Sequence, residues 1–202
     1  MARLGRTFFS RYTPQVAKDV LGSTLVRRMD EKVLRCKVVE VEAYRGADDP
    51  ASHAYRGLTK RTSVMFGEPG HAYVYLSFGV HHCLNLTTEV EGEPGAVLVR
   101  AVEPLEGIEE MRRRRSVEEL TDIASGPGKL TQALGIDLSL NGEDLARSKK
   151  LFLLSGGKGG RVAVSPRIGI SSAQDRLWRY YLEGNPFVSG ARTHNYRTRQ
   201  SG

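Results

Sequence analysis

Leu34-Arg35-Cys36-Lys37-Val38-Val39-Glu40-Val41-Glu42-Ala43-Tyr44 alternates in a way that decides the fold. In a strand, successive side chains point to opposite faces, so Val38, Glu40, Glu42 and Tyr44 share one face and Val39, Val41 and Ala43 the other. One face is apolar, and the other carries two acids and a tyrosine. Residues 23–28, upstream, are rich in strand-forming side chains, and Met29-Asp30-Glu31-Lys32 between them is a polar turn, so the pair predicts a hairpin. A second hairpin is predicted where Ala72-Tyr73-Val74-Tyr75-Leu76 and Cys83-Leu84-Asn85-Leu86-Thr87 flank Ser77-Phe78-Gly79-Val80-His81-His82, with an aromatic near its tip. Residues 96–102 predict a further strand, nearly all apolar, with Arg100 in its middle.

Helical signals are shorter. Thr13-Pro14 reads as an N-cap and a first-turn proline, Val16, Ala17, Val20 and Leu21 follow at helical spacing, and Gly22 is placed for a C-terminal cap, giving a helix over 14–21. Pro104, Leu105, Ile108 and Met111, leading into Arg112, Arg113, Arg114 and Arg115, predict a second helix. A third covers 129–134, after Ser125-Gly126-Pro127-Gly128. Residues 151–154 and 161–164 read as strands joined by the glycine-rich link Ser155-Gly156-Gly157-Lys158-Gly159-Gly160. The stretch 45–69 keeps no period and holds Gly46, Pro50, Gly57, Gly67 and Pro69, which predicts a long loop with at most a turn of helix, the kind of segment that usually carries function. The expectation is a mixed α/β (α+β) chain: one domain over 1–192 and a basic, disordered tail over 193–202, with no repeat and no linker.

The 202 residues carry 30 Lys plus Arg against 23 Asp plus Glu, a net charge of +7, and are 40% hydrophobic and 26% charged. That is enough apolar material for a sizeable core and too much for a disordered chain. No apolar run approaches the roughly 18 residues of a membrane span. The opening Met1-Ala2-Arg3-Leu4-Gly5-Arg6 has no apolar h-region, which argues against secretion. The 2 cysteines, Cys36 and Cys83, cannot form a disulfide framework, so the default location is a reducing cytoplasm, or the nucleoid in a prokaryote. The basic excess favours polyanionic partners but equally fits an ordinary basic enzyme.

Several motifs divide between bland and functional readings. Gly128-Lys129 is not a phosphate loop, because Ile123 and Leu130 stand where that motif needs glycine and Ser or Thr. His81-His82-Cys83 lacks a second ligand cluster at metal spacing, so no metal is expected. The four consecutive arginines divide evenly between a solvated helix face and phosphate contact. Glu42, deep in an apolar strand with Tyr44 about 7 Å away on the same face, needs a partner to stay charged, and Arg100 is the candidate. A structural ion pair and a carboxylate that orients a water both fit. Tyr44, Tyr55, Tyr73 and Tyr75 could fill the core and rim of a sheet, or stack on nucleobases.

Val39-Glu40-Val41-Glu42-Ala43-Tyr44-Arg45-Gly46, then His53, Met65-Phe66 and Pro69-Gly70-His71-Ala72-Tyr73-Val74-Tyr75 resemble the alkyladenine (3-methyladenine) DNA glycosylase family of the mammalian type. Asn85, Val99-Arg100-Ala101-Val102-Glu103-Pro104-Leu105-Glu106-Gly107, Ser125-Gly126-Pro127-Gly128-Lys129-Leu130 and Arg167-Ile168-Gly169-Ile170 continue the likeness in order, over about residues 8–189. The resemblance implies a curved antiparallel sheet with a protruding hairpin that inserts into DNA. It also implies a monofunctional, cofactor-free base-excision repair enzyme, acting as a monomer on double-stranded DNA with damaged purines: 3-methyladenine, 7-methylguanine, hypoxanthine or ethenoadenine. By resemblance Glu42 is the general base for a water, held by Arg100 and the backbone carbonyl of Ile168. Tyr44, His53, Tyr75 and Met65 contact the flipped base, and Asn85 crowds the exocyclic amine of normal guanine. Phe78 stands at the hairpin tip where mammalian members carry a tyrosine wedge, and an apolar plate serves that task. Lys129, Arg56, Lys60 and Arg61 are the candidates for backbone phosphates. The rival reading is a non-catalytic lesion- or RNA-binding protein using the same pocket.

Overall fold

β2 (Lys32–Arg45), 14 residues long, is the axis around which the sheet is built. The computed structural model describes residues 1–157 and 159–190 of the chain; the expected tail over 193–202 lies outside them. β2 pairs along its length with β5 (Gly95–Glu106) on one side. On the other side its first half pairs with β1 (Thr24–Met29), and Glu40, Val41 and Glu42 pair with β8 (Arg179–Leu182). β3 (Ala72–Ser77) and β4 (His81–Thr88) extend the sheet beyond β5, β6 (Leu151–Leu154) borders β1, and β7 (Val162–Ser165) borders β8. Every pairing is antiparallel, and the result is a single mixed α/β domain around a curled sheet.

Both predicted hairpins are present, each within a residue or two of the expected ends. The two late strands are also present, but they do not pair with each other: β6 joins β1 and β7 joins β8. β8 has no sequence expectation behind it. The second helix starts later than predicted, because β5 runs through Pro104, opposite Cys36, to Glu106. A register irregularity between Arg35 and Cys36 lies beside that proline, at the kind of site where a missing N–H is tolerated. Gly107 then turns the chain at φ 78°, where a Cβ would collide with Leu34 Cδ2, and α4 (Ile108–Arg115) begins.

α2 (Thr13–Val20) begins one residue before the predicted helix, with Tyr12 rather than Thr13 at the N-cap. Thr13 instead donates its backbone N–H and its hydroxyl to Glu89 Oε1, at 2.8 and 2.7 Å, so a carboxylate from just beyond β4 satisfies the buried start of the helix. Val16, Ala17 and Val20 of α2 share one buried core with Val39, Val41 and Ala43 of β2. Each fully buried valine in it is worth about 1.5–3 kcal/mol over an exposed one. α5 (Pro127–Leu134) packs against β4 and β5. The long segment after β2 contains two single turns rather than one at most, a 3₁₀ turn at His53–Arg56 and α3 at Ser63–Phe66. α1 (Arg6–Phe9) completes the α-helices among the described residues, two further 3₁₀ turns lie at Leu120–Asp122 and Leu138–Leu140, and no described helix is long and apolar enough to cross a membrane.

Candidate functional site

Two irregularities in the β2–β5 register flank Glu40, and they leave Val39 on β2 and Arg100 on β5 without a direct cross-strand partner. Bulges of this kind re-aim side chains. Arg100 sends Nε to Glu40 Oε1 at 3.0 Å and Nη1 to Glu42 Oε2 at 3.3 Å, so one guanidinium joins both buried acids of the polar face. The predicted Glu42–Arg100 pair is therefore present, and Glu40 shares it. Glu40 also accepts Arg179 Nε at 2.7 Å, and the Ser189 N–H and hydroxyl at 2.6 and 2.8 Å. Burial opposes the charge on Arg100, but Glu42 and Glu40 outweigh it and hold its pKa above the ordinary arginine value.

Glu42 is fully enclosed. Its Oε2 also accepts the Tyr44 hydroxyl at 2.8 Å, and its Oε1 accepts the Ile168 backbone N–H at 2.7 Å. The family resemblance implies that the carbonyl of Ile168 fixes the water; the group of Ile168 that bonds Glu42 itself is the amide. Burial and the neighbouring carboxylate raise the Tyr44 pKa far above the usual range, so this hydroxyl stays a donor. Arg167, next to Ile168, is buried and clamps Asp49 with two bonds of 2.6 and 2.8 Å while donating to the Ala43 carbonyl at 2.9 Å. Its guanidinium lies over the rings of Tyr44, at 4.6 Å, and Trp178, at 5.3 Å. This pair staples the 45–51 loop to the segment bearing Ile168. Periodicity carries no signal for it.

In front of this network opens a cavity of about 570 Å³, within the usual size of a small-molecule site. Tyr44, Arg100 and Ile168 reach it from the Glu42 side, and His53, Met65, Tyr75 and Asn85 line it as well. The His53 ring meets Tyr75 edge-on at 4.6 Å, and its Nδ1 lies 3.0 Å from the Tyr73 hydroxyl. Burial and then the charge of Arg61 push the His53 pKa down to about 4, so the imidazole is neutral at physiological pH. Asn85 is fixed by donating Nδ2 to the Tyr73 carbonyl at 3.0 Å. Arg61 lines the cavity rather than pointing away, its guanidinium 4.9 Å from the Tyr75 ring centre. Arg56, Lys60 and Lys129 lie outside the lining, and Lys129 approaches Asp122 at 3.8 Å.

Phe78 sits at the tip of the β3–β4 hairpin, at the edge of the same cavity, and is 98% exposed. Its φ of 49° is one that a non-glycine residue adopts at a cost of about 1–2 kcal/mol. The base of the hairpin is braced by α5: Thr131 donates to the His82 carbonyl at 2.9 Å, and Gly128 packs so closely on His81 that a Cβ would lie 2.8 Å from the ring. The four-arginine run is engaged internally, Arg112 with Glu109, Arg113 and Arg114 with Glu110, and Arg115 with the Ile123 carbonyl and Gln132.

Residues 7–186 match the family model described as methylpurine-DNA glycosylase. A Methanocella arvoryzae protein is 47% identical over 193 residues, 94% of this chain and 96% of its own, and one from Carboxydothermus hydrogenoformans is 47% identical over 188, 92% and 98%. A Clostridium perfringens protein is 45% identical over 202 aligned positions, covering 93% and 98%. All three bear the name "Putative 3-methyladenine DNA glycosylase". With nearly its whole length matched, the chain belongs to the methylpurine-DNA glycosylase family.

Proposed function

We propose that this DNA glycosylase of base excision repair flips alkylated or deaminated purines out of duplex DNA and hydrolyses the N-glycosidic bond with a water activated by Glu42. The observation that carries the reading is the seating of Glu42, held by Tyr44, Arg100 and the Ile168 amide directly behind an aromatic cavity. A carboxylate has about four acceptor positions, so three bonds leave roughly one for a water. The Oε1 edge, where Ile168 is half-exposed, is the side on which the water is admitted.

A base inside a duplex is out of reach, and extruding it costs about a few kcal/mol, least for damaged or mispaired bases. Phe78 would fill the gap in the stack, which requires an apolar plate and no hydroxyl. The extruded purine would stack among Tyr44, His53 and Tyr75 over Met65, while Asn85 crowds the exocyclic amine of normal guanine. Glu42 then takes a proton from the water as it attacks the anomeric carbon. The same anion stabilises the oxocarbenium-like charge on the sugar as the base departs. No lysine is among the described residues that line the cavity, which supports water rather than an amine as the nucleophile and an abasic product with the strand intact. Arg56, Lys60 and Lys129 are proposed phosphate contacts; each one lost should reduce the salt slope of binding by about 0.9.

The test uses duplexes holding one hypoxanthine, ethenoadenine or 7-methylguanine, with hot alkali to reveal abasic sites. Wild type should yield strand breaks only after alkali, and Glu42→Gln should lose about 10²- to 10⁴-fold in rate while still binding the lesion. Lesion binding by both proteins with no abasic sites from either would replace this reading with a non-catalytic lesion binder.

A further inference from the structure

Both tyrosines proposed to stack on the base already carry an arginine on one face. Arg167 lies 4.6 Å from the centre of the Tyr44 ring, and Arg61 lies 4.9 Å from that of Tyr75. The two cations differ in what neutralises them. Arg167 is clamped by Asp49, and Arg100, which lines the cavity as Arg61 does, is shared by Glu40 and Glu42. Among the described residues no carboxylate forms an ion pair with Arg61, whose Nη2 points instead at His53 Nε2, 3.4 Å away. Among the described residues that line the cavity, its guanidinium is the one with no carboxylate partner.

We propose that Arg61 sets which damaged purines the cavity accepts, favouring neutral bases with a carbonyl and a ring nitrogen as acceptors over bases that carry a positive charge. The inference rests on the glycosylase reading and deepens it. An aromatic face attracts cations, and a pocket of free tyrosines would select N-alkylated purines, which are cationic. A resident guanidinium on Tyr75 occupies that attraction and repels a second cation nearby. The same planar fork matches the O6 and N7 acceptors of a neutral purine such as hypoxanthine. 7-Methylguanine has N7 blocked and carries the charge, so it forfeits the contact and meets the repulsion. The neutral His53 beside Arg61 adds no second charge and can accept from the guanidinium, which keeps the arm at the cavity.

Single-turnover excision of hypoxanthine and of 7-methylguanine from the same duplex context should be compared for wild type, Arg61→Gln and Arg61→Lys. Arg61→Gln should lower the hypoxanthine to 7-methylguanine rate ratio by about tenfold, the scale of one charge a few ångströms away at a partly exposed site. Arg61→Lys, which keeps the charge without the fork, should slow hypoxanthine removal and leave 7-methylguanine slow. A fall by the same factor on both bases, with a shallower salt dependence, would make Arg61 a phosphate contact and overturn the inference. Unchanged rates would make it a solvated side chain, with the same consequence. Because Arg61 is exposed, thermal unfolding of the variants should match wild type. Wild type that excises neither base would overturn the glycosylase reading itself, and the inference with it.

Discussion

Arg112, Arg113, Arg114 and Arg115 form an unbroken run of charge, whereas Arg100, Arg167 and Arg179 are isolated in sequence. Arg112, Arg113 and Arg114 pair with Glu109 and Glu110 of their own helix, Glu110 being drawn down to about 2 by its bonds to Arg113 and Lys32, while Arg115 turns to the Ile123 carbonyl and Gln132. Pairs between long side chains that keep contact with solvent contribute little to stability, and salt screens them. The isolated arginines meet carboxylates that are fully enclosed. A carboxylate there has no water to fall back on, so removing its partner is expensive. What a charge does in this molecule follows from where its counter-ion is buried, and the density of charge along the chain is a poor guide to it.

Arg100→Met gives the largest expected effect on stability, because it strands Glu40 and Glu42 together. A loss of about 3–5 kcal/mol should appear in urea denaturation. A loss below about 1 kcal/mol would remove the distinction between the two sets. At the hairpin tip the expectation is reversed. Phe78→Gly relieves a left-handed backbone and should gain up to about 1 kcal/mol, while slowing excision from duplex and sparing the same lesion in a single strand; equal loss on both substrates would count against a wedge. His53 sharpens the comparison through pH. Its pKa lies near 4 against an ordinary 6.5, so the folded state takes up its proton later than the unfolded one. The stability it contributes is complete above the unfolded value and is lost as pH falls toward the folded one. His53→Gln should flatten the acid-side decline of the urea midpoint across that interval, and identical slopes in both proteins would show that the imidazole is not held neutral. The smallest effect is expected for Arg113→Ala: a urea midpoint that matches wild type and no change in the salt slope of DNA binding.

The parts of the molecule that obey a local period could be read from the sequence. Both hairpins follow from alternation, and Arg100 stood out as the basic residue of an apolar strand, which led to its pairing with Glu42. The cavity residues Tyr44, His53, Met65, Tyr75 and Asn85 came from the family resemblance; alternation alone could not choose between core filling and base stacking. The rest depends on contacts between distant segments. β8 is four residues long and follows an irregular loop, so Arg179 gave no sign that it would meet Glu40. Arg167 and Asp49 lie in two loops separated by 118 positions, and only the folded sheet brings them together. Pro104 predicts a helix start because proline favours one, yet a strand with a register irregularity accepts it equally well. Arg61 is in a loop whose sequence says only that it is basic and exposed; the ring it covers is on another strand.

The quartet of Glu40, Glu42, Arg100 and Arg179 holds two negative and two positive charges in a chain of contacts, with Arg100 and Glu40 each serving two partners. No one of its members can be exchanged for a neutral residue without leaving an odd charge in the interior. A neutral exchange at one of the four is therefore expected to be tolerated best beside a compensating exchange at another.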